Sequence, residues 1–172
     1  IFSWFLISIT FLVIFSYAGF MEIRVMSFSG PVRPLIRKVL FAHDTYHLSG
    51  RYWENEMLDA ICNAQKMSTK HRAEFYASLI LLTDLDTSSA HLFITEVNND
   101  PSGQQYFIQN YRSKDYLSSL NRDEQDLFEY WMSAFENYRK LGHTGLSYCD
   151  QPMRINKYRC SMDCKAQRGD KE

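Results

Sequence analysis

AHLFITEVNNDPSGQQYFIQNY, residues 90–111, decides whether this chain is wholly helical. Its two arms, Ala90–Val97 and Gln104–Tyr111, are rich in β-branched and aromatic residues and flank a cluster of turn formers, Asn98–Gly103. Read with a period of two, the stretch is a β-hairpin with a longer loop. Read with the helical period, it is two helices, the first capped by Thr87 or Ser88 and stopped at Pro101, the second capped by Ser102. Neither period is clean. The helical reading is adopted, with the hairpin around residues 90–111 as its main alternative.

Outward from this stretch the helical pattern is plainer. Asn121 with Glu124 three residues on has the logic of a capping box, with Asn in place of Ser or Thr. It opens a helix over about 122–141 that carries Leu127, Phe128, Trp131, Phe135 and Tyr138 along one side, with Gly142 just past its end. Upstream, Ser68 or Thr69 caps a helix bearing Phe75, Tyr76, Leu79, Ile80 and Leu82. The segment 51–66 sets Tyr52, Trp53, Met57, Leu58, Ile61 and Cys62 on one face, so its cysteine points at the core. Pro31 and Pro34 mark the entry to a further helix over about 34–47, with Gly50 as its stop. The expected fold is all-α, a small helical bundle.

Ahead of the bundle stands IFSWFLISITFLVIFSYAGFM, residues 1–21, which holds no Asp, Glu, Lys, Arg or His. A helix rises about 1.5 Å per residue, so roughly twenty such residues match a hydrocarbon core about 30 Å thick. Residues 1–20 are therefore expected to meet a membrane, either as a retained anchor or as a signal peptide cut after Ala18, where Ser16 and Ala18 are the small residues a signal peptidase inspects. The organisation that follows is a connector over 22–30, a helical domain over 31–142 and a cysteine-containing tail over 143–172.

Four cysteines, Cys62, Cys149, Cys160 and Cys164, set the compartment. Three of them cluster near the C-terminal end, and an even count in an exported chain reads as a disulfide framework with three possible connectivities. Pairing inside the tail, Cys149 with Cys160 or Cys164, is the first expectation; a bond from the tail to Cys62 would pin the tail to the core. Arg24, Arg33, Arg37 and Lys38 just beyond the apolar run would by themselves hold that flank in the cytoplasm. The cysteines are weighed above them, which puts the domain on the extracytoplasmic, periplasmic side.

With 19 basic and 20 acidic residues the chain is nearly neutral, so it lacks the concentrated basic face a nucleic-acid binder uses to displace phosphate counterions. Among candidate chemistries, His43-Asp44-Thr45-Tyr46-His47 has the i, i+4 histidine spacing of a zincin helix and resembles that metalloprotease motif over five residues. The resemblance implies a zinc site at His43 and His47 with a further ligand such as Glu74; Asp44 stands where the family has the Glu that activates water. His143 with Cys149, Cys160 and Cys164 supplies a second set of zinc donors, without a CxxC knuckle. Asp84-Leu85-Asp86-Thr87-Ser88 opens like a calcium loop, but Ser89 replaces the required Gly and Thr95 the required Glu, so a helix cap is the reading adopted. There is no GxSxG elbow and no Gly-rich phosphate loop, and no cofactor is expected.

These features point to a non-enzymatic, membrane-anchored or exported domain that binds a protein partner. Envelope immunity proteins that neutralise a toxin and accessory subunits of membrane complexes share that build. The acidic positions Asp123, Asp126, Glu129 and Glu136 of the last helix are the candidate partner-binding residues. The alternative function is a zinc-dependent hydrolase built on His43 and His47.

Overall fold

The computed structural model describes residues 2–49, 53–141 and 146–150, without the side chains of 2–6 and 47–49. His143, Cys160 and Cys164, the side chain of His47, and the residues Gly50, Tyr52 and Gly142 lie outside what is described. Eight helices and no strand are formed among the described residues: α1 (Phe2–Val25), α2 (Arg33–Ser49), α3 (Trp53–Ala64), α4 (Thr69–Leu82), α5 (Thr87–Asn98), α6 (Pro101–Tyr111), α7 (Lys114–Leu117) and α8 (Arg122–Lys140).

The ambiguous stretch is α5 and α6, and its caps show why the hairpin loses. The Asp86 carboxylate accepts from the Ser89 amide at 2.8 Å and opens α5; Asp100 accepts from the Gly103 amide at 3.1 Å and opens α6. Pro101 sits in the first turn of α6, where its missing N–H leaves no carbonyl unserved. The caps are thus the aspartates one or two residues ahead of Thr87, Ser88 and Ser102. Both helices then bury an apolar side against the rest, through Phe93 and Val97 in α5 and Phe107 in α6.

Asp100 also locks the α5–α6 turn onto α4. Its carboxylate accepts from the buried Tyr76 hydroxyl at 2.9 Å and pairs with Arg72 at 3.2 Å. Arg72 reaches on to the Ser102 hydroxyl at 3.0 Å. An acid this buried is tolerable because it is both paired and hydrogen-bonded. α4 is consequently the central helix, packed most extensively on α6, and Phe75 through Ile80 are buried on every side of it.

The aromatic residues make the core. Phe93 meets Trp131 at 5.5 Å and Phe135 at 5.7 Å between ring centroids, both edge-on, and Phe107 stacks on Phe128 at 5.8 Å. α8 contributes Phe128, Trp131, Met132 and Phe135 to this cluster. It starts with the full capping box expected at Asn121 and Glu124: each backbone amide donates to the other's side chain at 2.9 Å. Such a cap is worth about 1 kcal/mol.

α1 is of a different character. From Ile7 to Phe20 its large apolar side chains stand exposed, while its last turn enters the core through Met21 and Val25. One helix is therefore long and apolar enough to cross a membrane, over Ile7–Val25. Its domain end is tied down. Arg24 donates to the carbonyl of Leu82 at 2.6 Å and pairs with Asp44 at 3.3 Å, and the Tyr17 hydroxyl donates to the same carboxylate at 3.2 Å. The connector to α2 is held by Glu74, whose two oxygens accept the amide and hydroxyl of Ser29 at 2.5 Å each.

Candidate partner-binding surface

α8 presents its acidic residues outward because its core stripe, Phe128, Trp131, Met132 and Phe135, fixes the opposite side to solvent. Asp123, Asp126, Glu129 and Glu136 are all exposed. Asp123 lies in the first turn with Glu124, where the helix N-terminus favours negative charge whatever else is near. Glu136 is paired with Arg112 at 3.1 Å, and Glu129 stands with Arg112 beside a shallow groove of about 350 Å³ between α6, α7 and α8. Asp126 alone faces outward midway between these groups.

The more distinctive feature of α8 is apolar. Leu127, expected on the core side, is 36% exposed, because it falls one residue before Phe128 at the edge of the buried stripe. Tyr130 is 66% exposed beside it. The two line a groove of about 400 Å³ with the buried Trp131 and, across from α8, His43, Leu82, Asp84 and Leu85. Sequence pattern marked Trp131 and Leu127 as core and gave no reason to single out Tyr130. An exposed tyrosine on the rim of a groove is a residue type that carries interface energy, and Leu127 adds apolar surface beside it. Tyr138, also expected on the core side, is half-buried and uses its hydroxyl on His91 Nδ1 at 2.7 Å.

Of the expected zinc donors, the His47 side chain lies outside the described residues, and His43 and Glu74 are each engaged elsewhere. His43 Nδ1 lies 3.2 Å from Asp44, its Nε2 accepts from the Asp84 amide at 3.4 Å, and its ring meets Trp53 edge-on at 4.9 Å. Both ring nitrogens are engaged, Nδ1 within α2 and Nε2 on the backbone just past α4. Glu74, named as a third ligand, serves Ser29 instead. Among the described residues no group of three or more His, Cys, Asp or Glu gathers to hold a metal. The Asp84–Ser88 stretch acts as a cap: hydrogen bonds from the Ser89 hydroxyl and amide hold the Asp86 carboxyl below the usual carboxylate range.

Cys149 is bonded to Cys62 of α3, in place of a partner in the tail, and the thiolate needed for the second zinc set is not available at that position. Seating is reinforced next door. Glu96 of α5 is fully buried and, among the described residues, has no cation within pairing distance; its oxygens accept from the Ser147 hydroxyl at 2.8 Å, the Tyr148 amide at 2.5 Å and the Gln65 side chain at 3.2 Å. Residues 146–150 are thus clamped across α3 and α5 by one covalent bond and a buried acceptor. Spacing could not reveal this, since it depends on α3 and α5 lying side by side. Comparison with known proteins finds no matching family model, no matching characterised protein and no matching solved structure.

Proposed function

We propose that this chain is a non-enzymatic binding protein, held in a membrane by α1, whose bundle is displayed on the extracytoplasmic side and grips a protein partner with the outer face of α8. The observation that carries the reading is the exposed Leu127–Tyr130 pair on the rim of the groove in front of Trp131. Asp84 and Asp126 near that rim suit a partner that offers an apolar side chain flanked by basic ones. Export is supported by the Cys62–Cys149 bond, which an oxidising compartment sustains and a reducing one does not. Retention of α1 is supported by Tyr17, which a cut after Ala18 would remove and whose hydroxyl donates to Asp44 of the bundle.

The test is site-specific photocrosslinking in intact cells. A photoreactive side chain at position 130 is expected to give one discrete protein adduct that Asp126→Lys weakens, while the same group at exposed Gln105 of α6 gives none. Equal adducts from both positions, or none from position 130, refute the assignment.

A further inference from the structure

α1 and α2 run antiparallel through the short connector that Glu74 holds, and two side-chain ties fix their relative height. Arg37 pairs with Glu22 at 2.6 Å, and the Tyr17 hydroxyl donates to Asp44 at 3.2 Å. Moving from Arg37 to Asp44 along α2 therefore means moving back from Glu22 to Tyr17 along α1. Phe41 lies between the two ties on α2, so it stands level with Gly19 and Phe20 on α1.

That height matters because of where the apolar run stops. The sequence carries no Asp, Glu, Lys or Arg through Met21 and its first charge at Glu22. A helix that enters a bilayer with this composition meets the headgroups at about Phe20 and Met21. Phe20 is 58% exposed there and Phe41, on the neighbouring helix at the same height, 59%. A lone exposed phenylalanine needs no explanation. One placed beside the end of an exposed apolar helix, at the height where that helix leaves the lipid, extends the same apolar surface onto the domain.

We propose that the bundle does not stand clear of the membrane but sits in its headgroup layer along the C-terminal half of α2, with Phe41 inserted among the lipids. The inference rests on the anchor reading of α1 given above. Of the carboxylates around the hollow that Tyr17 lines, Asp44 is paired, while Asp84 and Asp86 are exposed and so stay among the headgroups. Asp44, reached by both Tyr17 and Arg24, is neutralised by Arg24 and receives the tyrosine hydroxyl. An unpaired carboxylate there would oppose the docking; a paired and hydrogen-bonded one does so far less. Tyr17 and the half-buried Tyr46 are amphipathic rings of the type that collects at the membrane–water boundary. The docked face is lipid, and not a soluble partner, because it is continuous with the helix that the lipid surrounds.

Tryptophan quenching tests depth directly. The full chain with Trp4→Phe is reconstituted in phosphatidylcholine–phosphatidylethanolamine vesicles whose acyl chains carry bromine either near the headgroup or near the bilayer centre. Trp53 and Trp131 give a constant background. Phe41→Trp, at an exposed position that leaves the core untouched, is expected to add emission that shallow bromines remove and deep ones spare. Leu12→Trp in the same background is expected to be quenched by the deep bromines. If Leu12→Trp is quenched and Phe41→Trp is not, the docking is refuted while the anchor stands. If neither is quenched, α1 is not in the bilayer and both readings fall.

Discussion

Replacing both Cys62 and Cys149 with alanine should cost the bundle more than any surface change, and the size of the loss follows from the chain between them. The bond closes a loop with a sequence separation of 87. In the chain-entropy treatment a cross-link of that reach removes about 4 to 5 kcal/mol of freedom from the unfolded chain. The folded state should change little, because Ser147 and the Tyr148 amide still have the Glu96 carboxylate to bind. Changing both partners leaves neither thiol to exchange with Cys160 or Cys164. Urea titration of the full chain in mild detergent, followed by tryptophan emission from the core, is the assay. At a slope between about 1 and 3 kcal/mol per molar for a domain of this size, the midpoint is expected to fall by roughly 2 M. A shift below a few tenths molar would refute the reasoning. It would mean either that residues 146–150 are not held against α3, or that the unfolded chain is already so compact that the cross-link removes little freedom.

Two further outcomes follow from the buried polar groups. Gly103→Ala should destabilise by about 1 to 3 kcal/mol in the same titration, as overpacking does, because an added Cβ would lie 1.9 Å from Asp100 Oδ2, which accepts from Tyr76, on a carboxylate whose Oδ1 is held by Arg72 and the Gly103 amide. Alkaline pH should loosen the fold through its tyrosines: burial drives the Tyr76 and Tyr111 hydroxyls far up, and raises Tyr116 from 10.0 to about 12. Below the unfolded value of 10.0 both states stay protonated and stability is flat; above it the unfolded chain releases protons that the folded one keeps, so stability falls as pH rises towards 12. Phenolate absorbance should accordingly show these three tyrosines ionising late and together with unfolding, and a simple titration of all tyrosines near 10 would contradict their burial.

How much of this was readable in the residues depends on how local each cause is. α8 was legible from end to end because its capping box and its apolar stripe both lie within its own sequence, and only the edge of the stripe was misjudged, at Leu127 and Tyr138. α4 was found through Ser68, although its buried run from Phe75 to Ile80 has no polar side; a helix surrounded by its neighbours loses the amphipathic signal. α5 and α6 were ambiguous for the converse reason. Their inward positions include Glu96 and Gln104, polar residues buried only because Ser147, Tyr148 and Asn98 come to meet them. Such pairings are made by tertiary contact and leave no period behind. The same holds for the Cys62–Cys149 bond and for the groove beside Tyr130, both assembled from helices distant in sequence.

The apolar N-terminal stretch was legible as a composition, but its role in the bundle was not. Composition ends the run at Met21, whereas the helix continues to Val25 and delivers Met21 and Val25 to the core. The exposed apolar segment and the segment that helps close the bundle are therefore one unbroken helix. A flexible tether would let the domain tumble above the membrane; a continuous helix with its flank bound to Asp44 and Leu82 fixes the height and the tilt of every other element. A cut after Ala18 would leave Met21 and Val25 in place but strip the Tyr17 hydroxyl from Asp44, leaving that carboxylate to Arg24 and His43. On this geometry the end of α1 is a structural member of the domain, through the buried Met21 and Val25 and the Arg24 contacts.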